Sequence, residues 1–498
     1  MGSITARQWL TLLTVQFTTI LFGITTTSVA VILPQMRGAL SATQDQISWI
    51  LTLNLVATAV ATPLTGWLAA RLGWRTLLLG SVVGFTAATV LCGMVDSLEW
   101  MLVLRVLQGA FGAPIFPMGQ AILFSNFTKA QHPFIIMMWG VGGVMGPILG
   151  PTFGGLIADV LNWRWTFFMM LPLGMIAGVP GRAVLSDKER GTANRFDYLG
   201  FLFIAVAITA AQLFLDRGQR NDWFDSIEIS LALCLAVGFL YLFIVHMLTA
   251  RQPLFEAATF TDRNFALGIS VALIMGMLQF TPMVLFPPLL QELRGYPEAI
   301  IGYLLATRGI GNFCAFFVVA QFTRYDARLC LFTGLAIQAI AAMWMGTLDM
   351  NMTTEDVLFT NILHGFGHGL SYTPMAVLSF STLPAHLLTQ GNAIFSLLRM
   401  LGSSIFISMT VLVLVHSAAE ASVSLSTFVN VFRLDAMPQW IAVYGEPDQG
   451  RLYARLAAEI YRQSSMIGYI NAFHLMAIVP AVAAPFVFLF VRRKAAGE

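Results

Sequence analysis

The sequence predicts an all-α membrane protein of fourteen transmembrane helices, grouped as six, two and six. Three observations carry that prediction. Of 498 residues, 57% are hydrophobic and only 10% are charged, against roughly 25% charged in a soluble domain. Apolar stretches long enough to span a bilayer recur fourteen times along the chain. Two polar connections, SDKERGTANRF (Ser186–Phe196) and Arg251–Arg263, divide the stretches into three blocks. Isolated strands would leave backbone groups unpaired in lipid, so each stretch reads as a helix.

In order, the predicted spans are 9–33, 47–70, 77–95, 98–124, 134–160, 165–184, 198–215, 229–248, 265–290, 298–322, 327–347, 355–383, 387–416 and 468–491. They predict a six-helix bundle over 1–185, a loop and two inserted helices over 186–250, and a second six-helix bundle over 251–498 with a long outside loop at 417–466. The first span is too long for a signal-peptide core, and no small-residue cleavage site is evident, so it reads as a retained helix. Within the long loop, QGRLYARLAAEIYRQ (Gln449–Gln463) is amphipathic. It reads as a solvated loop helix, with a place on the membrane surface or against a partner as the alternative.

The fifth span carries the densest pattern. In GVGGVMGPILGPTFGGLIAD, Gly142, Gly146, Gly150 and Gly154 recur every four residues, and Pro147 and Pro151 repeat that spacing. A helix places the four glycines on one face, where another backbone can approach closely. The prolines remove backbone donors and favour a bend. Such a helix suits a protein that rocks between two shapes.

An even number of spans puts both termini on one side. If that side is the cytoplasm, its loops and tails hold 15 of the 27 basic residues, and the short outside loops hold five (Arg37, Arg164, Arg217, Arg220 and Arg294). The positive-inside rule therefore places the termini in the cytoplasm. A net charge of +2 gives no reason to expect a nucleic-acid partner. Cys92, Cys234, Cys314 and Cys330 lie in or at the end of apolar segments without CxxC spacing and read as small hydrophobes. No glycine loop with Lys and Ser/Thr supports ATP use, and no nucleophile–base set supports an enzyme. No cofactor is expected.

Several motifs converge. GWLAARLGWRTLL (Gly66–Leu78), with Gly66, Arg71, Gly73 and Arg75, resembles the cytoplasmic loop signature of the major facilitator superfamily. LVLRVLQGAFGAP (Leu102–Pro114) resembles its helix-4 motif, with Arg105, Gln108 and Gly109 in place, and the fifth span resembles its antiporter motif. NWRWTFFMMLPLG (Asn162–Gly174), LDRGQRNDWF (Leu215–Phe224) and PPLLQELRGY (Pro287–Tyr296) resemble the fourteen-helix drug/proton antiporter branch. The chain as a whole resembles EmrB/QacA-type multidrug exporters, nearest the EmrB kind. That resemblance implies two facing bundles with helices 7 and 8 inserted, and alternating access around a midplane site. It implies proton-driven export of amphipathic compounds from a bacterial inner membrane, together with a periplasmic adaptor and an outer-membrane channel.

Two departures qualify the resemblance. The loop motif has Ala70 where the family carries an acid, which removes one version of a bundle-to-bundle latch; Arg71 and Arg75 remain free to meet carbonyls at a helix end. At the helix-1 position of the family's aspartate stands Thr25, which cannot exchange a proton near neutral pH. Asp96, Asp159, Asp216 and Glu292 all fall near predicted span ends. The candidates for proton coupling or gating are Arg105, Gln108, His364, His368 and Glu292, the last provided it faces the cavity. His364 and His368 share a helix face and titrate in the right range, but no third metal ligand accompanies them. Arg308 and Arg399 are the other intramembrane cations; Arg308 reads either as a cavity cation that favours an anionic substrate or as the partner of a carbonyl between helices. With Thr25 the two arginines are the substrate-cavity candidates. The leading expectation is a proton-coupled exporter. The alternatives are an exporter or uniporter of one specific metabolite or siderophore, anionic or not, with altered proton coupling, and a non-transporting sensor or scaffold.

Overall fold

The computed structural model describes residues 5–128, 131–185, 196–218, 221, 223–322, 326–384, 387–428 and 449–491. The long helices in chain order are α1 Ala6–Ala39, α2 Gln44–Ala61 continued by Leu64–Leu72, α3 Trp74–Cys92, α4 Leu98–Gly112 continued by Ile115–Asn126, and α5 His132–Val160. Then come α6 Trp163–Phe168 continued by Met170–Val184, α7 Tyr198–Arg217, α8 Ile227–Thr249, and α9 Arg263–Pro288 ending in a π turn over Leu289–Leu293. The rest are α10 Glu298–Phe322, α11 Ala327–Met345, α12 Thr354–Phe380, α13 Leu388–Phe428, and α14 Gln449–Ala483 ending in a 3₁₀ turn over Ala484–Leu489. Among the described residues, eleven helices are long and apolar enough to cross a membrane, and a twelfth span is added if the bent α2 counts as one. The chain is a multi-pass membrane protein.

Local chemistry explains the breaks. Pro63 interrupts α2, whose two parts meet at 57°. Gly73 sits at φ 88, a backbone that strains any residue with a β-carbon, and lets the chain reverse from α2 into α3. Pro282, Pro287 and Pro288 lie in α9 just before its π turn. In α1 the hydroxyls of Thr11, Thr14, Thr19, Thr25, Thr26 and Thr27 each donate to the carbonyl four residues earlier. That satisfies a polar helix without exposing it to lipid.

Helices α1–α6 pack against one another, as do α9–α14, and α7 packs on α8. The two sets meet through α5 with α10, α2 with α13 and α1 with α9. One buried apolar cluster joins them on the side distal to the N-terminus. It contains Ile32, Leu33 and Met36 of α1, Ile50 and Leu51 of α2, Met283 and Val284 of α9, and Ile407 and Val411 of α13. This is the far-side seal. The α7–α8 pair is peripheral: Leu231, Leu235, Leu240, Leu242, Val245 and Leu248 of α8 are exposed, as a lipid-facing surface requires.

Within the long outside loop expected at 417–466, the described residues 417–428 and 449–466 are helical. α13 runs on to Phe428, and α14 begins at Gln449, so QGRLYARLAAEIYRQ continues directly into the last apolar helix. The two helices pack closely where the extensions begin: a β-carbon on Gly468 would meet the Leu414 carbonyl at 2.5 Å and the Ala418 β-carbon at 3.1 Å. Hydropathy ends a predicted span where the lipid-like composition ends, but nothing there breaks the helix. Residues 186–195 and 429–448, together with Lys129, Arg220, Arg324, Arg492, Arg493 and Lys494, lie outside the described residues.

Candidate functional site

Between the two sets, below the far-side seal, lies a central cavity. Thr19, Phe22, Gly23, Thr26 and Thr27 of α1 line it, with Phe116 of α4. Across from them stand Gln279 and Phe280 of α9, Asn312 and Phe316 of α10, His368 and Tyr372 of α12, and Arg399 and Met400 of α13. Phenylalanines, Tyr372 and Met400 share the walls with threonines, two amides, His368 and Arg399, so the site offers both apolar surface and convergent polar groups to a small molecule.

Gln279 organises the positive side. Its side-chain oxygen accepts from Arg399 at 2.9 Å, and its backbone carbonyl accepts from Arg308, which also reaches the Leu278 carbonyl. Arg308 is therefore buried behind the wall and not in it, while Arg399 lines the cavity. Thr25 does not line it: the hydroxyl turns back to the Leu21 carbonyl at 2.7 Å, and Thr26 and Thr27 take the lining positions. Helical rotation of 100° per residue separates the three threonines.

The histidines do share one face of α12. The His368 ring stacks on Tyr372, with centroids 6.1 Å apart, and faces the cavity. His364 lies one turn deeper and is fully buried, and neither ring nitrogen has a hydrogen-bond partner. No Asp or Glu lines the cavity among the described residues.

Glu292 is not a cavity residue. The π turn carries it to the far side, where it pairs with Arg37 of α1 at 2.9 Å. The condition on which Glu292 is a coupling candidate, that it face the cavity, is not met: position near a span end does not fix the azimuth of a side chain, and a π turn shifts it further.

Arg105, 1% exposed, centres a separate polar web inside the first six helices. Its Nε donates to the Ile50 carbonyl at 2.8 Å, and Nη1 donates to Gln108. Gln108 donates to Thr89 at 2.6 Å, and Asn54 donates to the Arg105 carbonyl and to Gln108 at 2.9 and 3.2 Å. Nη2 of Arg105 has no partner. The guanidinium holds α2, and Gln108 carries the web on to Thr89 of α3, so α4 is tied to two neighbours.

The glycines of α5 work within that same set. β-carbons on Gly146, Gly150 and Gly154 would collide with Gly23, Thr27 and Ser28 of α1. Gly142 and Pro147 lie in α5, but their side-chain surroundings are outside the described residues. The contact across the two sets is made next door: a β-carbon on Gly302 of α10 would sit 2.2 Å from the Pro151 carbonyl, and one on Gly155 would sit 2.2 Å from the Glu298 carbonyl.

In the loop motif, Arg71 stacks over Trp67 at 5.2 Å, and Arg75 donates to the carbonyl of Arg182 in the last turn of α6 at 2.6 Å. Arg75 thus meets a helix C-terminus, as the sequence expects, but inside one set of helices. A β-carbon on Gly66 would meet open space. Sequence reasoning missed Gln279, Asn312, Tyr372, Gly155 and Gly302. The lone amide in IMGMLQFTPM, and Asn312 four residues after Arg308, were the available signals.

The Major Facilitator Superfamily model matches residues 15–407. The chain is 29% identical to the multidrug export protein EmrB of Haemophilus influenzae, covering 90% of this chain and 89% of that protein. It is 30% identical to the multidrug export protein EmrB of Escherichia coli K12, covering 83% and 82%. It is also 30% identical to the fatty acid resistance protein FarB of Neisseria gonorrhoeae, covering 77% and 76%. Among solved structures, a bacterial homolog of the human lysosomal transporter Spinster, in an inward-facing and occupied conformation, superposes with a TM-score of 0.63 at 14% identity, covering 98% and 97%.

Proposed function

We propose, from the premise that the chain belongs to the Major Facilitator Superfamily, that it is a multidrug exporter of amphipathic small molecules working by alternating access, and not an enzyme. The observation that carries this reading is the central cavity, lined from both sets of helices and closed on the far side by an apolar seal. A site shared by two bodies is exposed to one side at a time as they rock.

Fourteen spans are the reading that accommodates α5 and α12 beside the others. With 29 and 27 residues they are each long enough to cross. Boundaries near residues 185 and 250 then separate two six-helix bundles from the inserted pair. The charge asymmetry of the loops supports cytoplasmic termini, which makes the far side the outside and the present form inward-facing. A bacterial inner membrane, with a periplasmic adaptor and an outer-membrane channel as partners, is the setting that the EmrB likeness supports.

Proton coupling, if it operates, does not use Thr25, whose hydroxyl is held by its own helix. His368 in the cavity and His364 behind it are the titratable groups nearest the substrate, with Arg105 and Gln108 as gating residues. Export of a fluorescent dye from proteoliposomes should follow an imposed pH gradient. Export that ignores gradients of either sign rejects the coupling, and absence of any flux rejects the exporter.

One observation favours a second reading for the substrate. Arg399 lines a cavity with no carboxylate, Arg308 stands behind it, and both are held by Gln279. That charge pattern suits an anionic amphiphile or one specific anionic metabolite. Competition of dye export by matched anionic and cationic amphiphiles decides between the readings.

A further inference from the structure

We propose that Asp216 is a clasp through which the inserted pair α7–α8 holds the far-side gate shut. The inference rests on the alternating-access reading above and concerns a part of the chain that reading leaves idle. Asp216 sits in the last turn of α7, where sequence position alone marks it as a span-end acid. Its carboxylate lies where three bodies meet. Thr52 of α2 donates to Oδ2 at 2.9 Å, Gln212 of α7 donates to Oδ1 at 2.8 Å, and Ser408 of α13 donates to Oδ1.

The hydroxyls come from opposite sides of the gate. Gln212 also reaches Ser408 at 2.7 Å, and Ser404 of α13 donates to the Thr52 carbonyl at 3.2 Å. This polar seam runs beside the apolar seal, which contains Ile50 and Leu51 of α2 and Ile407 and Val411 of α13. Opening on the far side must part α2 from α13. The carboxylate can then keep Thr52 or Ser408, but not both.

The acceptor has to be strong and central, and an ionised carboxylate is both: it takes several donors at once and binds each more tightly than a neutral oxygen does. Among the described residues no cation faces it. The adjoining Arg217 pairs with Glu228 of α8, and the other charge in the cleft above Asp216 is Asp45. Ser48, Val411 and Val415 are among the other residues that line that cleft. The bond network, and not an ion pair, therefore holds the three bodies, and α7 becomes a working part of the gate.

The test reads gate opening directly. In a background with the four native cysteines replaced by alanine, Met283→Cys places a thiol inside the seal, where Met283 is 3% exposed. A membrane-impermeant maleimide is applied from the far side without substrate or gradient. Asp216→Ala should raise the labelling rate about fivefold, since each lost bond weakens the closed state modestly. Thr52→Ala should raise it about threefold. Asp216→Asn, which keeps shape and one acceptor oxygen, should fall between wild type and Asp216→Ala and guards against misfolding. An unchanged or lower rate in Asp216→Ala overturns the clasp, as does a Thr52→Ala rate equal to wild type. Because labelling is read without transport, it decides the clasp whether or not dye export is observed.

Discussion

Gly155 of α5 and Gly302 of α10 meet backbone to backbone across the two bundles. A β-carbon on Gly155 would lie 3.2 Å from the Gly302 Cα and 2.2 Å from the Glu298 carbonyl oxygen. Because the second atom belongs to backbone, no side chain can move aside to admit a methyl group. Either glycine changed to alanine wedges the far side apart. Gly302→Ala should lower dye export at least about tenfold while the protein still inserts, since overpacking at a tight contact costs about 1–3 kcal/mol. Far-side labelling of Met283→Cys should rise in the same variant. Wild-type export and labelling together would show that the contact is dispensable.

Arg105→Ala should abolish export while leaving expression and insertion intact. The change removes the guanidinium donors to the Ile50 carbonyl of α2 and to the Gln108 side chain. Arg105→Lys should rescue little, because an ammonium cannot span Ile50 and Gln108 with a rigid fork. Flux near wild type in either variant removes the gating role.

Arg399→Gln should weaken binding of an anionic amphiphile about tenfold or more, the scale of a hydrogen bond to a charged group. Binding of a matched cation should hold or improve. Arg399 is the lever because it lines the cavity; Arg308→Gln should instead loosen α10 from α9, whose carbonyls it holds. Equal losses for both ligand charges would make the arginine structural.

His364→Ala combined with His368→Ala should alter the pH profile of dye export. His368 lines the cavity beside Tyr372 and Arg399, His364 lies just behind the wall, and the His364 nitrogens are unpartnered. A superimposable profile would leave both residues as packing.

Glu292→Gln should leave export within about twofold of wild type, because its partner Arg37 is on the far side and the pair is partly exposed. A loss of pH-driven export comparable to that of Arg105→Ala would restore Glu292 as a coupling residue.

Composition and periodicity made much of this protein legible. Apolar runs fix where helices lie, since lipid admits no other economy of backbone hydrogen bonds. The glycine spacing of α5 announced a close approach, and the HxxxH pattern put two imidazoles on one face. Those are properties of one helix and its solvent, so a linear sequence holds them.

What a residue faces is decided by neighbours from distant parts of the chain. The glycine face read from spacing turned out to pack on α1, and the contact between bundles fell to Gly155, one residue away. Thr25 and Glu292 turned from the cavity, whereas Gln279 gathered two arginines that lie 91 residues apart in the sequence. Asp216 gained its meaning only from Thr52 and Ser408, brought to it by two other helices. The sequence by itself determined which segments enter the membrane and what chemistry they carry. Only the tertiary structure decided which groups meet, because a rotation of 100° about a helix axis moves a side chain from lipid to cavity without changing a letter.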